Sequence, residues 1–210
     1  MNQPRQRRTQ EQRRKEAERR LIDAAAAMVG EAGPAKVTVA NVGERAGYSR
    51  GLVSHYFGSK QALMQRLVET VTHQFREALF DQQRSDDDEL AELGILIGIY
   101  FDVVSDLQPI NRARLVLWAD AVANPSDDIR PAMVNADREF REEIEKRLRH
   151  AITSGQVSET VHANGLATVI IAMLRGVALQ SLIDDNVDLA AARFEIEQLL
   201  LTRVRKADTP

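Results

Sequence analysis

Polar and basic side chains recur between Thr38 and Lys60 in a run that could contact phosphates and base edges. The guanidinium of Arg50 can form two hydrogen bonds to a guanine edge. The hydroxyl groups of Thr38 and Ser49 can bond to phosphate oxygens or cap a helix. The chemistry that this run suggests is binding to a polyanion rather than making or breaking bonds.

The spacing of apolar residues and glycines divides this run into two short helices joined by a turn. Thr38 can cap a first helix over 39–46, in which apolar side chains recur at helical spacing. Gly47 stands where a left-handed residue ends a helix, and Ser49 can cap a second helix over 50–57. This is the layout of a helix-turn-helix reader of the DNA major groove, although two-helix turns also occur in structural bundles.

The distribution of charge supports the DNA-binding interpretation. Residues 1–60 carry twelve basic and six acidic side chains, a net charge of +6, whereas the whole chain carries −3 and the remaining residues therefore −9. A charge run is often only a solvated face. Here the basic excess adjoins the helix-turn-helix pattern, which favours a phosphate-binding surface.

Composition restricts the class of protein. Cysteine is absent, so disulfides and thiolate metal sites are excluded. The basic N-terminus is not followed by an apolar stretch, which argues against a secretory signal. The apolar run 166–174 ends at Arg175 and is predicted to be too short to cross a bilayer. We expect a soluble, cytoplasmic protein without a membrane partner.

Helical periodicity and few glycines or prolines predict an all-α fold. We expect a disordered basic arm over 1–15, a three-helix helix-turn-helix domain over 16–62, and a helical ligand-binding and dimerisation domain over 63–206. The predicted helices are 16–32, the pair 39–46 and 50–57, and then 59–83, 86–106, 111–123, 126–154, 160–184 and 188–205.

The same residues resemble the DNA-binding domain of the TetR family of transcriptional regulators. The resemblance covers about residues 18–65, and segments 51–57 and 117–119 are similar to the BetI-like branch. It implies a ligand-responsive repressor that binds a palindromic, double-stranded DNA operator as a dimer through the helix over 49–56. The residues that would contact DNA are Thr38, Tyr48, Ser49, Arg50, Gly51, Ser54, His55, Tyr56 and Lys60. Among these, His55 could instead pack against Tyr48.

Apolar residues cover nearly every face of the segment 166–183, and the last helix adds more. A helix that is apolar all round needs burial on both sides. One side can be the core and the other a second copy of the chain, although a central helix enclosed by its own chain would have the same composition. The candidate homodimer contacts are Leu166, Ile170, Val177, Phe194 and Leu201.

The resemblance also implies an effector cavity in the helical body, but the sequence contains few signs of the effector. The candidate lining residues are Tyr100, Phe101, Trp118, Met133, Phe140 and Met173. Trp118 with Asp120 would suit a quaternary ammonium, but two residues apart on a helix they face different directions. A neutral lipophilic or acyl effector fits equally well.

Catalysis is not indicated. The four histidines are far apart in the sequence and lack metal-ligand spacing, and no phosphate loop or dinucleotide fingerprint is present. We therefore predict no enzyme activity, no metal and no cofactor. The alternative function is an architectural or interaction protein that binds DNA without an effector, which would not need an apolar cavity.

Overall fold

The computed structural model describes residues 9–80, 88–106, 108–124 and 128–204, and within these ranges the regular elements are helices. The all-α prediction is therefore confirmed. A short 3₁₀ turn, Pro34–Lys36, follows the first helix. The α-helices in chain order are α1 Gln10–Ala32, α2 Val39–Ala46, α3 Arg50–Phe57, α4 Lys60–Phe80, α5 Glu89–Ser105, α6 Pro109–Ala123, α7 Arg130–Thr153, α8 Ala163–Ile183 and α9 Leu189–Val204.

Helix α1 begins six residues earlier than the sequence suggested. The Thr9 hydroxyl accepts a hydrogen bond from the Gln12 amide at 3.2 Å, and the Gln12 side chain accepts one from the Thr9 amide at 2.9 Å. This reciprocal cap satisfies amides that a helix start leaves unpaired. The prediction of a disordered arm is thus wrong for residues 10–15, and residues 1–8 lie outside the described part of the chain.

The starts of α5 and α7 also differ from the predicted ones. Helix α5 begins after Asp88, whose carboxylate accepts from the Ala91 amide at 3.0 Å. Helix α7 begins at Arg130, next to Pro131, which is favoured in a first helical turn. The predicted starts at 86 and 126, and the predicted domain end at 206, lie outside the described residues.

Two large hydrophobic cores hold the helices together, and α6 contributes to both. The first core joins α1, α2, α3 and the start of α4 to α6 and the start of α7. The second joins the end of α4 to α5, α6, α7, α8 and α9. Because α4 is one continuous helix, the predicted domain boundary at 62/63 falls within its first turn.

Helix α8 extends beyond the apolar run 166–174 on both sides. Its 21 residues, Ala163–Ile183, include Arg175 and lie within the predicted helix 160–184; by length and composition alone they could span a membrane, so the segment is not too short to do so. Arg175 forms an ion pair with Asp137 of α7, and Ile170 and Leu174 are fully buried in the second core. Core helices of soluble proteins have the same composition, and we assign α8 to the core.

Candidate functional site

The turn between α2 and α3 is built on Gly47. Its backbone has φ 77° and ψ 28°, the left-handed conformation that L side chains rarely adopt. The Tyr48 amide then donates to the Gly43 carbonyl at 2.8 Å, which closes the end of α2. Ser49 caps α3 by accepting from the Leu52 amide at 3.3 Å.

Helices α2 and α3 approach closely at Gly43. A Cβ atom at this position would lie 2.9 Å from the Tyr48 carbonyl oxygen and 2.9 Å from the Val53 Cγ2 atom. Val53 is fully buried between the helices. The absent side chain of Gly43 therefore sets the distance between the two helices.

Helix α3 presents most of its predicted DNA-contacting side chains to solvent. Tyr48 and Tyr56 are half-buried against the first core, and the His55 ring contacts the Tyr56 ring edge-on at a centroid distance of 5.9 Å. The exposed members of the predicted set are Thr38, Ser49, Arg50, Gly51, Ser54, His55 and Lys60.

Two of these exposed residues also have partners within the chain. Thr38 forms a reciprocal cap with Asn41, whose amide donates to the Thr38 hydroxyl at 3.2 Å. The Lys60 ammonium donates to the Ala35 carbonyl at 3.3 Å, which ties the start of α4 to the 3₁₀ turn. Both groups remain at the surface beside α3.

A shallow groove separates the start of α1 from α3, and the sequence did not place α1 there. Arg13, Arg14 and Arg20 line it together with His55 and Tyr56. Arg13 and Arg14 form no ion pair with any described residue. Exposed cations next to the polar face of α3 extend one basic surface, which suits a phosphate backbone.

The helical body contains a cavity of about 290 Å³ between α4, α6, α7 and α8. Three of the predicted lining residues, Trp118, Met133 and Phe140, do line it. Tyr100 and Phe101 are instead buried in the second core, and Met173 packs against that core. Helix α5, which carries Tyr100 and Phe101, contributes no lining residue to the cavity, and the contacts of Met173 are with the second core.

Two arginines that sequence reasoning missed, Arg114 and Arg175, line this cavity with their side chains largely buried. The Arg114 Cζ atom lies 3.5 Å from the centre of the Phe75 ring, and only 7% of the residue is exposed. The Arg175 Cζ atom lies 4.3 Å from the centre of the Trp118 ring. The spacing of Arg114 and Trp118, four residues apart on one helix, was the available signal.

The candidate dimer residues fall into two groups. Phe194 is 58% exposed, and Leu166, Val177 and Leu201 are half-buried. Ile170 is fully buried in the chain's own core, so its prediction as a dimer contact is wrong: it lies on the inward face of α8. Three further exposed apolar residues of α8 and α9 were not among the candidate dimer contacts: Val169, Ile183 and Leu199.

Comparison with protein-family models assigns both halves of the chain. Residues 21–67 match the model of bacterial regulatory proteins of the tetR family. Residues 100–205, half of the chain, match the model of the C-terminal domain of BetI-type transcriptional repressors. This chain belongs to the TetR family, in its BetI-like branch.

Individual relatives agree with this TetR-family assignment. The transcriptional regulator BetI of Escherichia coli (strain S88) is 30% identical over 137 residues, which are 61% of this chain and 70% of that protein. A TetR regulator from Chloroflexus aurantiacus has a similar fold with a TM-score of 0.80 and 19% identity, over 92% of this chain and 98% of the other. A regulator from Saccharomonospora viridis, solved in complex with choline, matches with a TM-score of 0.74 and 19% identity, over 92% and 100% of the two chains.

The TetR-family model encloses the second half of α1, all of α2 and α3, and the start of α4. The exposed face of α3 therefore lies in the part of this TetR-family chain that matches DNA-binding regulators, whereas the arginines of the basic groove, Arg13, Arg14 and Arg20, precede the matched segment. The BetI-type match includes α6 to α9, and so three of the four cavity helices. The chain is a BetI-like transcriptional repressor rather than an enzyme.

Proposed function

We propose that this repressor binds a palindromic operator as a homodimer through α3, and leaves it when a small molecule occupies the cavity. The observation that carries the proposal is the position of α6. This helix lines the cavity through Arg114 and Trp118, and it packs against α1 of the DNA-binding domain. A ligand that prefers one arrangement of α6 would shift the DNA-binding domain by its differential affinity.

The proposed base contact is Arg50, which begins α3 and is exposed. The residues proposed to position the DNA backbone are Thr38, Tyr48, Ser49, Tyr56 and Lys60. Gly51, Ser54 and His55 complete the groove-facing surface. Gly51 allows α3 to approach the DNA closely, because the space around its Cα is open: a Cβ there would meet only the Ser49 hydroxyl, at 3.9 Å.

The proposed dimer joins α8 and α9 of two copies. These helices share an exposed apolar surface that a single copy leaves in water: Ile183 is 88% exposed and Leu199 is 59% exposed. Clusters of exposed apolar residues are typical of association surfaces. A two-fold arrangement would present paired α3 helices to successive turns of DNA.

The cavity favours an effector-responsive regulator over an architectural DNA-binding protein. A protein that only bends or coats DNA gains nothing from an aromatic cavity that contains buried polar groups. In the proposed regulator, Trp118, Met133 and Phe140 contact the effector. We propose that the whole protein acts in the cytoplasm, without a membrane.

Selection of bound sequences from random DNA tests the proposal. We expect a palindromic operator, and replacing Arg50 with Ala should weaken binding by ~1–3 kcal/mol, mainly at one base pair of each half-site. A uniform loss across all sequences would make Arg50 a backbone contact. Recovery of a single, non-palindromic half-site would contradict the proposal that a homodimer binds the operator.

Sedimentation tests the dimer separately. The substitution Phe194→Glu places a charge in the proposed interface and should produce monomers. The matched control is Val122→Glu, which changes an equally exposed apolar residue of α6 (63% exposed) and should leave the dimer intact. A dimer that survives Phe194→Glu would place the interface elsewhere.

A further inference from the structure

Arg114 is a buried cation without a carboxylate partner. Its guanidinium lies on the Phe75 ring, and its Cζ atom is 5.9 Å from the centre of the Tyr100 ring. No described carboxylate lies within ion-pair distance, and its Nε atom is buried without a hydrogen-bond acceptor among the described residues. A buried charge is costly unless it is paired, and an aromatic face compensates it only in part.

The cavity's carboxylates do not supply this missing partner, because each already pairs with another cation. Asp137 forms ion pairs with Arg175 and, at 3.6 Å, with Arg141. The other two pairs are Glu69 with Arg66 at 3.2 Å and Glu139 with Arg76 at 3.9 Å. Among the described lining residues, Arg114 is therefore the arginine left without a counter-ion.

One face of the cavity's tryptophan ring, a surface that would attract a cationic ligand, is already covered by an arginine. A quaternary ammonium binds best over the face of a tryptophan ring. In this cavity the guanidinium of Arg175 lies over the Trp118 ring, held in place by Asp137. A cationic ligand on this face of Trp118 would have to displace Arg175, and it would share the cavity with a second cation, Arg114.

The electrostatics of Arg114 agree with this geometry. Burial lowers the pKa of its guanidinium, and the nearby charge of Arg175 lowers it further, while Tyr100 opposes both. Two cations thus disfavour each other in a poorly hydrated space. A negative charge between them would favour both.

We propose that the cavity binds a small monocarboxylate with an apolar body, whose carboxylate pairs with Arg114. The apolar body lies against the rings of Phe75, Trp118 and Phe140. The volume of about 290 Å³ is at the small end of ligand cavities, which commonly measure roughly 300–1,000 Å³, and it limits the body to a short chain or a single ring. This assignment rests on the proposed effector site and names the chemical class of its ligand.

The chain contains its own reporter for the test, because Trp118 is its single tryptophan and lines the cavity. Octanoate and octanamide are nearly equal in size and differ in charge. We expect octanoate to change the Trp118 fluorescence of the full chain, saturably and without DNA, with an affinity at least about tenfold higher than that of octanamide. Choline should produce no change. The assignment would be overturned if octanoate and octanamide bound with equal affinity or if octanoate gave no saturable signal. It would also be overturned if choline bound and excluded octanoate.

Substitutions at Arg114 test whether this residue supplies the positive charge that pairs with the ligand's carboxylate. Arg114→Met keeps a side chain of similar length and should abolish the preference for octanoate while octanamide still binds; Arg114→Lys should retain part of the preference. The matched control, Arg138→Met, removes an exposed arginine that does not line the cavity and should change neither affinity. Circular dichroism shows whether the Arg114→Met variant is folded. If the folded variant still prefers octanoate over octanamide, the proposed role of Arg114 is wrong. If that variant does not fold, the comparison of ligands with the unaltered chain decides alone.

A DNA-release assay separates failure of this inference from failure of the proposed function. Selective octanoate binding that leaves the operator complex unchanged would refute effector release but support the anion site. Release by choline, without octanoate binding, would support effector release and refute the anion site.

Discussion

The DNA-binding domain and the cavity of this protein place their charges in opposite ways. In α1 to α3 the cations stand at the surface over an apolar core, with Arg13, Arg14 and Arg50 in water. In the cavity, Arg114 and Arg175 lie inside the protein on aromatic rings. Surface cations attract a large polyanion at little cost, whereas buried cations are costly and select a ligand that neutralises them.

The two regions also differ in how they are assembled. The surface around α3 is built from residues close together in the sequence, ordered by helix caps and one left-handed glycine. The cavity collects residues from four helices between Glu69 and Arg175. A site formed by residues close together in the sequence can be recognised from its local pattern. A site formed by residues far apart in the sequence has few such patterns.

The largest predicted effect tests whether the two regions are joined by one core. Leu117 of α6 is fully buried in the first core, so Leu117→Ala should destabilise the protein by about 2–5 kcal/mol, measured by urea unfolding. Val122→Ala, on the exposed side of the same helix, should change stability by less than about 0.5 kcal/mol. If only the cavity region of the Leu117→Ala variant unfolded at a lower urea concentration, the first core would not couple the stability of the cavity to that of the DNA-binding domain.

The second prediction separates packing from DNA contact within the DNA-binding domain. Gly43→Ala should cost about 1–3 kcal/mol, since its Cβ would meet the Tyr48 backbone and Val53 at 2.9 Å. Gly51→Ala has room for its Cβ and should leave stability intact while DNA affinity falls. Thermal unfolding and DNA titration of both variants give the answer, and equal stability losses would contradict the close approach at Gly43.

The third prediction concerns the cap of α2. Thr38→Ala removes the hydroxyl that accepts from the Asn41 amide, and unfolding should show a loss of about 1 kcal/mol. Ser54→Ala changes an exposed hydroxyl inside α3 that caps nothing, and its stability should be unchanged. A stable Thr38→Ala variant with normal DNA affinity would show that neither the cap nor the phosphate contact matters.

The smallest prediction is a pH effect at an exposed ion pair. Hydrogen bonds from Arg45 of α2 lower the pKa of Glu31 in α1. Because the folded pKa lies below the unfolded one, this pair stabilises the fold above the unfolded pKa and stops doing so as pH falls through the folded pKa. The difference in Tm between the unaltered chain and Glu31→Gln should therefore shrink between about pH 7 and about pH 3. If the difference in Tm grew on acidification, the ion pair between Glu31 and Arg45 would be excluded as its source.

Sequence reasoning correctly predicted the all-α fold and the caps at Thr38 and Ser49, because each depends on residues within one helical turn. It placed the start of α1 too late because it did not consider Thr9 and Gln12 as a reciprocal cap. It missed Arg114 as a cavity residue because Phe75 and Arg175, which define its surroundings, lie on other helices. Ile170 was assigned to the wrong face because apolar residues surround α8, so periodicity could not distinguish its sides.

The hydrogen bond between Arg112 and Gly30 has a consequence for how the protein reads DNA. The Arg112 Nε atom of α6 donates to the Gly30 carbonyl of α1 at 2.8 Å, and the Arg112 side chain occupies the space where a Cβ of residue 30 would lie. Helix α6 thus touches α1 two residues away from Arg114. Binding energies coupled through such a contact are reciprocal. The operator would change the affinity of the cavity by the same factor by which the effector changes the affinity for the operator, so DNA itself would act as a regulator of ligand binding.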